Sequence, residues 1–383
     1  MTRSSALLRR AAAIVVAAVV IVAAPSADAI ETSAREAILI DANTGAVLFA
    51  KNPDQRMTPS SMTKMLTVAV LFQHLKDGQI SLEDTLPVSE KAWRKQGSKM
   101  FVAVNSRVKV EDLIQGIVVQ SGNDACIVVA EGLAGSEDAF AELLNREAQK
   151  IGMTSSHFVN ASGWPAPDHY STARDLSKLA KYTIENFPQF YHYYSEKTFT
   201  YNGIKQGNRN PLLYKDIGAD GLKTGHTEAG GYGLTASAVR DGRRLILVLN
   251  GLPSVKARAQ ESERLMDYGF REFKNYALFK SGDKVSDAKV WMGVGPSVPL
   301  IIKKDVTVTL PRKSRRDLKV SVHYNGPIPA PVAKGAELAK LRIEAPDIDP
   351  IEIPLYAGAD VTRLGMFSRL GAALKYILWG EAG

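Results

Sequence analysis

Hydrophobic and polar positions follow two different periods along this chain, and the change between them divides it. Glu36-Ala37-Ile38-Leu39-Ile40 and Ala46-Val47-Leu48-Phe49-Ala50 flank the turn residues Asp41-Ala42-Asn43-Thr44-Gly45, which predicts a β-hairpin. From Lys64 the sequence Met65-Leu66-Thr67-Val68-Ala69-Val70-Leu71-Phe72-Gln73-His74-Leu75 is apolar around its circumference, as in a helix buried within a core. Helices are predicted over 110–119 and 125–133, separated by Gln120-Ser121-Gly122-Asn123-Asp124, where Gly122 permits a tight turn and Asp124 can cap the second helix. Ser136-Glu137-Asp138 opens a helix that carries Phe140, Leu143, Leu144 and Ala148 on one face and ends at Gly152. Thr172-Ala173-Arg174-Asp175 has the form of a capping box with Asp in place of Glu or Gln, and it starts a helix through Leu176, Leu179, Ala180 and Tyr182.

Period-two runs take over further on. Gly231–Val239 and Arg244–Asn250 surround Asp241-Gly242, the signal for a second hairpin. The segment Asp220 to Thr227 is then a neighbouring strand of the same sheet, with a helix from about 257 to 268 packed on it. After Phe279 only short strand-like runs recur: Lys289–Met292, Val306–Leu310 and Leu318–Val322, with Pro327, Pro329 and Pro331 marking a loop or edge, the pattern of a small all-β domain. The last segment returns to helical spacing. Met366, Phe367, Leu370, Leu374, Ile377 and Leu378 fall on one side of a helix, Arg369 and Lys375 fall outside that arc, and Trp379 stands near the end. This suits a helix lying in a membrane interface, although a helix docked on the protein's own surface has the same periodicity.

The N-terminus changes how the rest is read. Arg3, Arg9 and Arg10 precede the apolar run Ala11 to Ala24, and Pro25-Ser26-Ala27-Asp28-Ala29 closes it with an Ala-x-Ala pattern, which reads as a secretory signal cut after Ala29. Arg9-Arg10 is a weak hint of twin-arginine export. An exported chain with one cysteine has no internal disulfide framework, and Cys126, inside Ala125-Cys126-Ile127-Val128-Val129-Ala130, reads as a small core residue. The formal charge is +8, of which residues 1–29 contribute +2, leaving a mature chain of +6. Such a chain suits anionic lipid or an acidic wall polymer; it shows no basic-aromatic patch or nucleic-acid motif.

Lys64 is out of place at the start of a buried helix, because desolvating an ammonium is costly. Ser61 lies three residues before it, so hydroxyl and amine share one helical face, a nucleophile beside a base. Alone, Ser61-x-x-Lys64 is equally consistent with a helix cap, Ser121-Gly122-Asn123 with an ordinary turn, and Lys223 with a solvated strand lysine. The loop-rich stretch from Gly78 to Asn105, with Gly97-Ser98-Lys99-Met100-Phe101, is either a cleft wall or a surface connection.

Ser61-x-x-Lys64, Ser121-Gly122-Asn123 and Lys223-Thr224-Gly225 stand in order, and the ordered set resembles the signature shared by penicillin-binding proteins and serine β-lactamases. Within that group the chain closely resembles the low-molecular-mass serine D-alanyl-D-alanine carboxypeptidases, through Gln120–Ala125, Ser171-Thr172-Ala173-Arg174-Asp175 and Asp220–Thr227. The resemblance implies an α/β (α+β) β-lactamase/transpeptidase-like catalytic domain over 30–279, a small β-rich domain over 280–358 and an amphipathic anchor over 359–383. It implies no cofactor and no metal. The implied partners are peptidoglycan stem peptides, β-lactam antibiotics and a membrane surface, not nucleic acid, at the periplasmic face of the bacterial inner membrane.

The resemblance also implies roles. Ser61 attacks the carbonyl between two D-alanines, with unprotonated Lys64 as base, its pKa lowered by burial and by Lys223. Ser121 and Asn123 relay protons and hold the substrate amide. Lys223, Thr224 and Arg209 draw in the terminal carboxylate, Gly225 lets substrate approach the strand, and backbone N–H groups of Ser61 and His226 form an oxyanion hole. The His226 side chain is expected at the rim. Gly163-Trp164 departs from relatives, where Gly-Leu is commoner. Two rivals follow from the same residues: a serine β-lactamase, for which Glu142 is one residue too near Asn145 to match Glu-x-x-Leu-Asn, and a non-catalytic wall-binding protein, against which intact Ser61, Lys64 and Lys223 argue.

Overall fold

The computed structural model describes residues 30–371; the expected signal over 1–29 and the anchor beyond 371 lie outside the described residues. The first expected hairpin forms from β1 (Glu36–Asp41) and β2 (Val47–Lys51). After it come α1 (Lys64–Lys76), α2 (Val110–Val118), α3 (Asn123–Ala134), α4 (Glu137–Ile151) and α5 (Ala173–Asn186). Next stand β3 (Ala219–Thr227), β4 (Gly231–Arg240) and β5 (Arg243–Leu252), then α6 (Val255–Glu272). The five strands make one antiparallel sheet in the order β2–β1–β5–β4–β3.

Period two buries both faces of that sheet. Ile38, Ile40, Ile246 and Val248 join the core built with α1 to α5, whereas Leu39 and Leu245 face α6, where a Cβ on Gly269 would come within 2.7 Å of both side chains. The helix α1 runs through the middle of the helical core and is buried from Lys64 to Phe72, which is why it shows no polar stripe. Caps behave as read at both ends of α4. Ser136 accepts from Ala139 N–H, and Gly152 ends α4 in the left-handed region at φ 85°. Two readings need correction. The helix α3 starts at Asn123, so Asp124 sits inside its first turn with its carboxylate turned to other backbone groups. Thr172 caps α5 by accepting from Asp175 N–H, but the Asp175 carboxylate does not return to the cap: it binds Ser155 N–H, Ser156 Oγ and Lys178.

The β-rich part follows without a break. A strand β6 (Phe273–Phe279) pairs with β9 (Val306–Pro311), and β7 (Lys284–Trp291), β8 (Ser297–Ile301), β10 (Lys319–His323), β11 (Ile328–Pro329), β12 (Glu337–Glu344) and β13 (Ile351–Ala357) form a six-stranded sheet. Its order is β10–β12–β13–β8–β7–β11, and the proline strand β11 lies at the edge, where a missing N–H is tolerated. Ala288, Val290, Leu300, Leu341, Ile343 and Leu355 fill its core. Residues from Ser33 on form a single compact unit. The joint inside it is polar: Arg243 Nε bonds Asp41 Oδ2 at 2.7 Å, Asn275 Nδ2 reaches Asp41 Oδ1 at 3.3 Å, and the hydroxyls of Thr44 and Thr309 share a 2.5 Å bond. The described residues end in a helical turn over 366–371 that exposes Met366, Phe367 and Leu370.

Candidate active site

Pro59 leads into a 3-10 turn, Ser60–Thr63, that continues directly into α1. The turn puts Ser61 Oγ 2.7 Å from Lys64 Nζ. Lys64 is fully buried, and its other two partners are Asn123 Oδ1 at 2.8 Å and the Ser162 carbonyl at 2.7 Å. Neither of those oxygens carries a hydrogen, and the Asn123 amide nitrogen is committed to the Gln96 carbonyl at 2.8 Å. A neutral amine has two hydrogens and one lone pair. With both hydrogens drawn to carbonyl-type oxygens, the lone pair is left facing the Ser61 hydroxyl, the geometry a general base requires. Burial pushes the Lys64 ammonium down to about 8, and the cations Arg209 and Lys95 act in the same direction.

The Ser162 carbonyl is presented by a loop closed at its base where His157 and Tyr170 exchange backbone hydrogen bonds. Asn160 folds the loop's inner bend, its Oδ1 accepting from the N–H groups of Ser162, Gly163 and Trp164. Gly163, at φ 77°, lies so near the serine turn that a Cβ would stand 1.8 Å from the Ser60 carbonyl. Thr67 ties the same loop to α1 by donating to the Ala161 carbonyl at 2.7 Å. Trp164 is 41% exposed, with Lys95 Nζ 4.7 Å from its ring. The far edge of its ring lies over Gly97, where a Cβ would stand 3.0 Å from Trp164 Cζ3, so its added size relative to leucine is used against the 97–101 stretch.

Between α2 and α3, Ser121 is held at φ 62°, and its buried hydroxyl makes no hydrogen bond among the described residues. Asp124, beside it, accepts from the N–H groups of Met100, Phe101 and Val102. That carboxylate organises the stretch 98–102, and Ser98 Oγ accepts from Arg209 Nη1 at 2.7 Å. The Gly97–Phe101 segment is therefore a wall of the site.

On β3, Lys223 and Thr224 are buried. Burial and the neighbouring cations Lys64 and Arg209 push Lys223 well below its ordinary value, and its Nζ donates to the Thr224 carbonyl at 3.3 Å. Gly225 also makes room for the chain itself. A Cβ there would meet the Pro59 carbonyl at 2.9 Å and Ser60 Cβ at 3.2 Å, so the glycine admits the serine turn. Thr227 Oγ1 and Ser60 Oγ, 3.1 Å apart, join the same two elements. His226 is exposed and stacks on Tyr232, ring centroids 3.9 Å apart, as a rim residue.

The family model for D-alanyl-D-alanine carboxypeptidase matches residues 21–253, and that for the penicillin-binding protein 5 C-terminal domain matches residues 273–363. The chain belongs to the D-alanyl-D-alanine carboxypeptidase family. It is 38% identical over 346 residues to D-alanyl-D-alanine carboxypeptidase DacA of Haemophilus influenzae, covering 89% of this chain and 88% of that protein. The crystal structure of penicillin binding protein 5 from Haemophilus influenzae superposes with a TM-score of 0.80 at 37% identity, over 88% of this chain and all of that one. Penicillin-binding protein D2 from Listeria monocytogenes, solved in an ampicillin-bound form, matches with a TM-score of 0.59 at 28% identity over 63% of this chain and 99% of that one.

Several residues that shape this carboxypeptidase-family site were not picked out from the sequence. Arg258 of α6 is buried, its Nη2 donates to the Arg209 carbonyl at 3.3 Å, and burial pushes it down to about 10. Its signal was legible: Arg258, Ser262, Leu265, Met266 and Gly269 form the buried stripe of α6, and an arginine on such a stripe faces something anionic or polar. The Ser162 carbonyl left no such signal, because a backbone oxygen has no letter of its own. Glu142, the residue weighed for a β-lactamase, is exposed on α4 beside Arg146.

Proposed function

We propose that the chain is a serine carboxypeptidase that removes the terminal D-alanine from peptidoglycan stem peptides through an acyl-enzyme at Ser61. The observation that carries this reading is the trio of oxygens around Lys64 Nζ, two of which have no proton to give while the third is the Ser61 hydroxyl. In this reading Ser61 Oγ attacks the carbonyl of the penultimate D-alanine as its proton passes to Lys64. The tetrahedral oxyanion is held by the N–H groups of Ser61 and His226. Collapse breaks the C–N bond, and the leaving amine takes a proton relayed through Ser121, whose hydroxyl is uncommitted. Asn123 orients the donor amide. The terminal carboxylate is received by Lys223, Thr224 and Arg209, and its arrival offsets the burial that disfavours the Lys223 charge. Water then hydrolyses the ester. A β-lactam enters by the same attack and stays as the acyl-enzyme, in keeping with the ampicillin-bound relative.

The chain in this reading comprises an export signal over 1–29, a hydrolytic body over 30–279, a β-rich domain over 280–358 and an anchor over 359–383 that holds the enzyme to the periplasmic face of the inner membrane. No described helix is long and apolar enough to cross a membrane. The exposed Met366, Phe367 and Leu370 support an interfacial one. Purified protein should release D-alanine from a peptide ending in D-Ala-D-Ala, and mass spectrometry should locate a penicillin adduct on the peptide containing Ser61. Absence of both products defeats the enzymatic reading, and rapid turnover of penicillin would make the protein a β-lactamase. Truncation after Tyr356 should release it from membranes, and continued association would remove the anchor from the account.

A further inference from the structure

Inside the loop that presents Ser162 lies His169, only 3% exposed and used by no step above. Its ring bridges two elements. Nε2 is 2.9 Å from Thr63 Oγ1, on the serine turn one residue before Lys64, and Nδ1 is 3.2 Å from the amide nitrogen of Val159, three residues before Ser162. A backbone amide can only donate, so Nδ1 must be the bare acceptor, and Nε2 then carries the hydrogen and donates to Thr63. The ring is further seated edge-on against Phe158, centroids 5.5 Å apart.

We propose that His169, locked as its Nε2–H tautomer, is a positioning residue for the carboxypeptidase reaction: it clamps the 157–170 loop to the serine turn so that the Ser162 carbonyl stays on Lys64 Nζ. The inference rests on Lys64 acting as the base. The clamp matters because the Ser162 carbonyl is one of two acceptors that turn the amine's lone pair toward Ser61; if it drifts, an amine hydrogen is freed to point at the hydroxyl instead. Only the neutral ring can do this. A second ring proton would set Nδ1–H against the Val159 N–H, donor facing donor. The surroundings keep the ring neutral: burial, with the cations His157 at the loop base and Lys64 on α1, pushes it down to about 4. The carboxylates on the other elements packed here are engaged elsewhere, Glu137 of α4 with Lys91 and the Ala161 N–H, and Asp175 of α5 with Ser155, Ser156 and Lys178.

The test compares two substitutions in the full chain by the second-order rate of acylation with a fluorescent penicillin. His169→Leu keeps the bulk and loses both bonds; it should lower the rate about 10- to 100-fold, the range expected for a misplaced reacting group. His169→Gln, whose amide oxygen accepts from Val159 and whose amide nitrogen donates to Thr63, should recover most of that loss, a rescue that bulk packing alone would not give. Equal rates for wild type and His169→Leu, or a Gln variant as slow as the Leu variant, overturn the proposal. If His169→Leu fails to fold, Thr63→Val removes only the acceptor and should slow acylation in a normally melting protein; an unchanged rate there also overturns it. Long-range 15N NMR of histidine-labelled protein supplies the signature: one ring protonated at Nε2 alone at pH 7 and still so at pH 5. An Nδ1–H ring at this position, or one titrating near 6.5, refutes the clamp.

Discussion

Two regions of this protein bury cations, and they treat them in opposite ways. At the joint between the hydrolytic body and the β-rich domain, Arg243 lies against Asp41, 2.7 Å away, and also donates to the carbonyls of Gly269 and Phe273. Asp41 in turn accepts from the N–H groups of Asn43 and Thr44 and from Asn275. The charges there are matched. In the cleft, Lys64, Lys223 and Arg258 are buried beside Arg209 with no carboxylate among the described residues hydrogen-bonded to any of them, and all four are held below their ordinary values. A buried charge is tolerable when it is paired and hydrogen-bonded, and costly otherwise. The joint is thus a structural use of charge. In the proposed mechanism an incoming carboxylate relieves the unmatched charge of the cleft, and the same burial supplies a lysine able to act as a base near neutral pH.

The contrast is broken most forcefully at Lys64. Lys64→Met replaces an unpaired buried amine by an apolar chain of similar length, so acylation by penicillin should fall by about 10²- to 10⁴-fold, the usual worth of a general base. Folding stability at pH 7 should hold or rise, since burying an apolar group in place of a lone charge is not penalised. Stopped-flow acylation and urea unfolding on the same preparation read both numbers. A variant that is both fast and destabilised would show that Lys64 is a structural residue. Asp41→Ala is the mirror experiment. It strands Arg243 and should cost about 3–5 kcal/mol of stability, while the folded fraction acylates at the wild-type rate. A loss of acylation rate with unchanged unfolding would erase the distinction between the regions.

The same contrast explains what was legible in the sequence. The joint rests on elements that declare themselves by periodicity. The hairpin whose turn begins at Asp41 and a strand from Arg244 were both expected, yet the pairing of Asp41 with Arg243 was not, because the two are 202 residues apart and no local rule links them. In the cleft, Ser61, Lys64, Ser121, Asn123 and Lys223 were visible as polar letters in apolar surroundings. Their geometry was not: the Ser162 carbonyl, the Asn160 bend and the His169 bridge act wholly or partly through backbone atoms. Asp124 and Asp175 show a related failure. Each was read as a local cap, and each carboxylate is spent on backbone or side chains elsewhere in the chain. Gly225 was read for the room it gives substrate; that its missing Cβ also makes room for the serine turn was not legible, because that turn lies far away in the chain.

The smallest effect is the most discriminating, since it reads the unmatched charge without substrate. An unfolded Lys64 keeps its proton up to its ordinary value of 10.5, and the folded one sheds it near 8. Between those values the unfolded state binds more protons, so stability rises with pH across that window, by on the order of 3 kcal/mol in full. Subtracting the unfolding free energy of Lys64→Met from that of wild type at each pH removes the titrations the two share. The difference should climb from pH 8 to 10.5 and level off below pH 7. A flat difference would mean that Lys64 is as well paired as Arg243, and the cleft would then hold no unmatched charge for a substrate carboxylate to relieve.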